Sequence, residues 1–234
     1  MHGRDEPALE RHNECRTGAD ANRSRQCRIV AYVNAIQQYW TREYDRLGGR
    51  YQPAQTTFFT ERVSTRCGNA TSAVGPFYCP ADSTVYIDLS FFDQLERDYG
   101  ASAGSLAQGY VIAHEYGHHV QNLENILDRV RGDREGPESA AVRSELQADC
   151  FAGVFAGNAD DTILQPPTRA EIADALSAAA AVGDDRIQES TQGQVNPERW
   201  THGSSEWRQG WFLRGFVRGD PNACDTFSGS VQPS

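Results

Sequence analysis

The sequence predicts an α+β protein, a small sheet followed by a helix-rich remainder, and three observations carry that expectation. Apolar residues recur at three-to-four spacing in residues 25–47 and in most segments after residue 90. Between them, short runs rich in Thr, Val, Phe and Tyr are punctuated by Gly, Pro and Asp. With 234 residues the chain is long enough for one domain with a sizeable core, and no repeat or linker divides it.

Residues 1–24 are polar and charged and read as a poorly ordered N-terminal arm, with the domain proper over 25–234. A helix is expected over 25–47, with Ile29, Val33, Ile36 and Trp40 on one face and Gly48-Gly49 ending it. Strands are expected over 56–61, 73–79 and 84–89, then a short helix over 90–99 closed by Gly100. Two longer helices follow, over 105–127 and 137–156. An Ala-rich helix over 168–183 opens with the capping box Thr168-x-x-Glu171. A last helix is expected over 204–218, and 132–136 and 158–167 read as surface connections.

Composition narrows the function. A net charge of −10 disfavours nucleic acid or an anionic membrane as partner, since both reward basic patches. All 22 basic residues are Arg, a bias to which no mechanism attaches. No apolar run reaches the length of a membrane span. The six cysteines form no C-x-x-C pair, so they do not read as a structural zinc site. Their even number and spacing suggest disulfides and an extracytoplasmic protein, secreted or anchored outside the membrane. Six cysteines allow 15 pairings, among which sequence alone does not choose; Cys15–Cys27, Cys67–Cys79 and Cys150–Cys224, two local loops and one long-range staple, is the set taken as a guess. The polar opening of the chain reads as a trimmed or mature form whose signal or anchor has been removed.

The chemistry is concentrated in His114-Glu115-Tyr116-Gly117-His118, an HExxH sequence behind the apolar run 109–113. Residues four apart on a helix differ by about 40° in direction, so both imidazoles face one metal ion, Zn2+ by ligand type. Manganese, cobalt or nickel suit the same donors. Glu115, beside the first ligand, is placed to take a proton from a water on the metal. A catalytic zinc needs a third protein ligand and an open fourth position. Glu145 and Asp149 share a face of the next long helix, in an otherwise apolar stretch where unpaired charge is costly. Glu145, the longer, is the expected ligand, and Asp149 the acceptor for a ligating histidine's second N–H. Glu124 stands where metzincins carry a third histidine, but Gln121 occupies the place of their turning Gly. His119 points about 100° away from His118 and reads as a packing or supporting residue.

For a developing oxyanion the candidate electrophile is His202, in the loop before the last helix, with Tyr110 and Tyr116 behind it. Residues 73–78 are the candidate edge strand for a peptide or protein substrate, kept at an edge by Gly75-Pro76. Two readings of other classes stand beside this one. One is a catalytically latent, zinc-stabilised interaction module, in which Glu115 has no task. The other is a disulfide-stabilised binding protein without metal, which leaves the His/Glu cluster unexplained.

The HExxH stretch 114–121 together with Glu145-Leu146-Gln147-Ala148-Asp149-Cys150-Phe151-Ala152-Gly153 resembles the neutral zinc metallopeptidase family of bacteria. Residues 72–80, 182–188 and 201–205 carry further likeness, and the resemblance covers about 28–227. It implies a zincin-like fold and peptidase activity, and its members often have an N-terminal membrane anchor. It implies no particular substrate.

Overall fold

The computed structural model describes residues 15–99, 104–161 and 164–233. Of the expected arm, residues 1–14 lie outside the described residues. The rest of it is ordered locally: α1 (Gly18–Arg23) starts at Thr17, whose side chain and that of Asp20 form a capping box. The helix buries nothing, and the Cys15–Cys27 disulfide ties it to α2 (Arg25–Arg46). That helix buries Ile29, Val33, Ile36 and Trp40, the stripe its spacing predicts.

Five strands follow: β1 (Gln55–Phe59), β2 (Arg62–Thr65), β3 (Gly68–Thr71), β4 (Phe77–Cys79) and β5 (Thr84–Asp88). They make a three-stranded sheet ordered β1-β5-β4 and a separate β2–β3 hairpin. β5 lies in the middle, parallel to β1 and antiparallel to β4, and all five of its residues are buried. That continuous burial is the signature of a central strand covered on both faces. The strand expected over 73–79 is shorter. Ser72–Val74 form a 3₁₀ turn and Gly75 adopts φ +74, so pairing begins only at Phe77. Gly75 is required there, because left-handed backbone is costly for other residues. The β2–β3 hairpin was not expected from sequence, being polar and mostly exposed.

After α3 (Phe91–Tyr99) comes α4 (Ser105–Leu123), buried at every position from Leu106 to Gly117. A helix apolar all round is an interior helix. It packs against α2, the sheet, α5 (Ala140–Gly157) and α6 (Arg169–Ala181). The helix expected over 105–127 stops four residues early. Asn125 turns left-handed at φ 58, and Leu127–Gly132 continue as 3₁₀. The helix expected from 137 starts instead at Ala140, where Ser139 caps it by accepting from the Val142 N–H.

Two helices complete the fold, α7 (Asp184–Gln192), which the sequence reading did not anticipate, and α8 (Ser205–Arg218). α8 crosses α5 with the two backbones nearly touching. A Cβ on Gly153 would overlap the Phe212 carbonyl oxygen, and one on Gly215 that of Cys150. All three disulfides form in the pairing guessed from sequence. Cys67–Cys79 joins the hairpin turn to β4, and Cys150–Cys224 pins the segment after α8 onto α5. No helix among the described residues is long and apolar enough to cross a membrane.

Candidate metal centre

α4 and α5 lie side by side, so the four-residue spacings of both helices converge on one point. α4 supplies His114 and His118, and α5 supplies Glu145. Their ligand atoms all lie within 4.8 Å of one another. His114 Nε2 is 3.1 Å from Glu145 Oε2, and His118 Nε2 is 3.4 Å from Glu145 Oε1. Tetrahedral coordination with bonds of about 2.0–2.1 Å puts ligand atoms about 3.3 Å apart, so the cluster has the dimensions of a metal site.

The surroundings fix which nitrogen of each ring is free. His114 Nδ1 lies 2.8 Å from Asp149 Oδ1, a carboxylate that accepts, so the proton sits on Nδ1. His118 Nδ1 lies 2.8 Å from Gln121 Oε1. Gln121 is oriented by its own amide, which donates to the Ser144 carbonyl at 2.7 Å and to Gln147 Oε1 at 3.0 Å. Its oxygen therefore accepts from His118 Nδ1–H. Both Nε2 lone pairs consequently face the Glu145 carboxylate, acceptor against acceptor. Only protons or a cation can occupy that space, and the donor set fits a divalent metal.

The electrostatics agree. Burial alone would depress the His114 pKa, but Asp149 and Glu145 outweigh it and raise it to about 10. His118 is also raised: burial opposes the shift and Glu145 drives it. Against its own burial, Glu145 is held well below the usual carboxylate range, chiefly by His118. The cluster is a place where positive charge is wanted.

Asp149 has no solvent exposure, and its two oxygens are fully engaged. Arg208 of α8 donates from Nε to Oδ2 at 2.9 Å and from Nη2 to Oδ1 at 3.0 Å; the Tyr110 hydroxyl donates to Oδ1 at 2.6 Å. Arg208 thus keeps Asp149 ionised, and Asp149 orients His114. Sequence reasoning missed Arg208 and saw Gln121 only as an absent glycine.

Glu115 is buried and lines a cavity of about 520 Å³ shared with His114, His118, Glu145, His202 and Arg208. Burial pushes its pKa above the ordinary carboxylate value. His202 sits on the same cavity, half-exposed. Its loop is anchored by Asp184 of α7, whose Oδ2 accepts from the backbone N–H of Thr201, His202 and Gly203 at 2.7, 2.6 and 2.9 Å. Burial opposes a rise in the His202 pKa, but the Asp184 hydrogen bond and the Glu145 charge produce one. The hydroxyls of the two tyrosines weighed beside His202 are engaged by other groups, although Tyr110 lines the same cavity. Tyr116 is fully buried and shares a hydrogen bond with Thr56 Oγ1 at 2.6 Å, and the Tyr110 hydroxyl is committed to Asp149. Glu124 accepts from the Tyr44 hydroxyl at 2.7 Å, apart from the cluster.

His119 has a defined task. It donates from Nε2 to the Gln52 carbonyl at 2.6 Å, leaving Nδ1 to accept from the Tyr78 hydroxyl at 2.9 Å. Asn122 donates to the same hydroxyl at 3.0 Å. Edge strand β4 is thereby fastened to the helix that carries both histidines.

Two histidines and a glutamate from two helices, with a carboxylate beside them and a cavity in front, form a group that could hold one metal ion. The chain belongs to the family described as "Putative neutral zinc metallopeptidase", whose model matches residues 2–227. Similar proteins include an uncharacterized protein of Mycobacterium tuberculosis, 51% identical over 92% of this chain and 75% of its own length. The uncharacterized protein YpfJ of Escherichia coli is 46% identical over 82% of this chain and 68% of its own. No solved structure matches the chain.

Proposed function

We propose that this protein is a zinc-dependent peptidase of zincin-like architecture, acting on peptides outside the cytoplasm. The observation that carries the reading is the convergence of two histidine lone pairs on Glu145 at the mouth of a cavity that Glu115 lines. A purely structural site would be closed by a fourth protein ligand, and among the described residues no such group joins the cluster. Three disulfides support an oxidising compartment.

His114, His118 and Glu145 would hold the metal, and Asp149 and Gln121 hold the two rings in the tautomers that binding requires. A zinc ion there would supply Lewis acidity to the attacking water and the substrate carbonyl. Glu115 takes the proton of the attacking water and passes it to the leaving amine, its raised pKa suiting both directions of transfer. His202, steadied by Asp184, donates to the developing oxyanion. The free edge of β4, fixed by Tyr78 and His119, receives the peptide backbone as an added strand.

The test is zinc content and cleavage of a mixed peptide library by wild type, Glu145→Ala and Glu115→Gln. About one zinc per chain, diminished in Glu145→Ala, with chelator-sensitive cleavage that Glu115→Gln abolishes while keeping zinc, is the expected result. Zinc without cleavage would leave a latent site, and no zinc at all would remove the metal assignment.

A further inference from the structure

Resting on the peptidase reading, we propose that the substrate carries an acidic side chain on the N-terminal side of the bond to be cut and a bulky apolar one on its C-terminal side. The cluster lies between two cavities of opposite character. The larger, about 520 Å³, is walled by Phe77, Phe91, Val111, Val182 and Ile187. The smaller, about 390 Å³, is lined by Arg131, Arg134, Asp128 and Asn122. Tyr78, His118 and Glu145 belong to both, so the reacting bond sits at their junction.

In a chain of net charge −10, the second cavity sets two guanidinium groups, Arg131 and Arg134, against two carboxylates, Asp128 and Glu145. Arg131 is paired with Asp128 at 3.0 Å, while Arg134 is exposed and makes no ion pair among the described residues. The remaining carboxylate, Glu145, is committed to the metal. A guanidinium with unused donors beside a cleft is matched by a carboxylate, which it can bind in a two-pronged geometry.

Strand β4 sets the direction. Val74 and Pro76, before it, line the apolar cavity, and Pro80, after it, lines the arginine cavity. β4 is an outer strand, with β5 on one side only. A peptide adding to the free edge pairs antiparallel, the more stable arrangement. Its chain then runs from the Pro80 end towards the Val74 end. Residues before the cut pass the arginines, and residues after it enter the apolar cavity.

The zinc-loaded protein is given a proteome-derived peptide library, and cut sites are read by mass spectrometry for wild type and Arg134→Glu. Wild type is expected to enrich Asp and Glu within the few positions before the cut and Phe, Leu or Ile directly after it. Arg134→Glu should lower kcat/KM on an acidic peptide about two- to fivefold, the size of an exposed ion pair. It should favour Lys or Arg at the same positions and leave the apolar preference alone. Cleavage without acidic enrichment, or with enrichment that the reversal does not move, overturns the proposal while the peptidase reading stands. If wild type cuts nothing, that reading fails. Anisotropy with labelled Glu-containing and Lys-containing peptides then decides: tighter binding of the Glu peptide, reversed by Arg134→Glu, supports the arginine cavity, and equal binding overturns it.

Discussion

Arg208 and Asp149 face each other across the α5–α8 interface through two hydrogen bonds of 2.9 and 3.0 Å, with Arg208 3% exposed and Asp149 not at all. Removing one member of such a pair strands the other charge in the interior. Arg208→Met is expected to destabilise the metal-free protein by about 3–5 kcal/mol, a Tm drop on the order of 10 °C for a chain of this size. It should also lower zinc affinity about 10- to 100-fold, because Asp149 no longer holds His114 firmly. Thermal unfolding in chelator and a competitive zinc titration read the two effects separately. Unchanged affinity would confine Arg208 to a structural role.

Zinc binding should release protons. Without metal, His114 titrates at about 10 and is protonated at neutral pH, and His118 is raised as well. The metal takes the same Nε2 lone pair, so bound proton and bound zinc exclude each other. About one proton or more per zinc is therefore expelled at pH 7, and apparent affinity climbs about tenfold per pH unit for each proton released. The sign is that zinc weakens as pH falls. Calorimetry in two buffers of different ionisation enthalpy measures the number, and a value of zero would show that the histidines are not the ligands.

His202 and Asp184 should separate chemistry from stability. His202 is half-exposed, so His202→Ala is expected to leave Tm and zinc content unchanged. It should slow the chemical step by about 10²–10³-fold, the cost of one oxyanion donor. Asp184→Ala removes an acceptor shared by three backbone N–H groups and should slow turnover and lower stability by about 3 kcal/mol, read as a fall in Tm. A His202→Ala enzyme of normal rate would return that residue to the solvent.

The tight crossing of α5 and α8 gives a packing prediction. Gly215→Ala has no room against the Cys150 carbonyl and should cost about 1–3 kcal/mol. At Gly132 an added methyl meets nothing, so Gly132→Ala serves as a control, expected within about 0.5 kcal/mol of wild type in urea unfolding.

What was legible in the sequence was whatever helical periodicity encodes. His114 and His118, and Glu145 and Asp149, each stand four apart, so their shared faces follow from the helix itself. The Cys15–Cys27 and Cys67–Cys79 loops are short enough for neighbouring cysteines to be natural partners. Arg208 was hidden by distance, 59 residues from Asp149 and 94 from His114. A faint signal existed: it shares the face of Trp211 and Phe212, where a solvated arginine does not belong. Helix α7 was missed because its nine residues, Asp184–Gln192, offer Ile187 as their one large aliphatic side chain, too little to show a period. The β2–β3 hairpin was missed for the same want of contrast, since Val63 and Ala70 alone stand against polar neighbours.

The placement of Arg208 on α8 also sets a schedule. During translation, α4 and α5 emerge with His114, His118 and Glu145 already present, while the guanidinium that balances Asp149 is still unmade. Until the last helix has docked, and Cys224 has been bridged to Cys150 across 74 residues, the aspartate that steers the first histidine lacks its counter-ion. If His114, His118 and Glu145 take a metal, its tight capture is expected only once α8 has docked and Arg208 stands against Asp149.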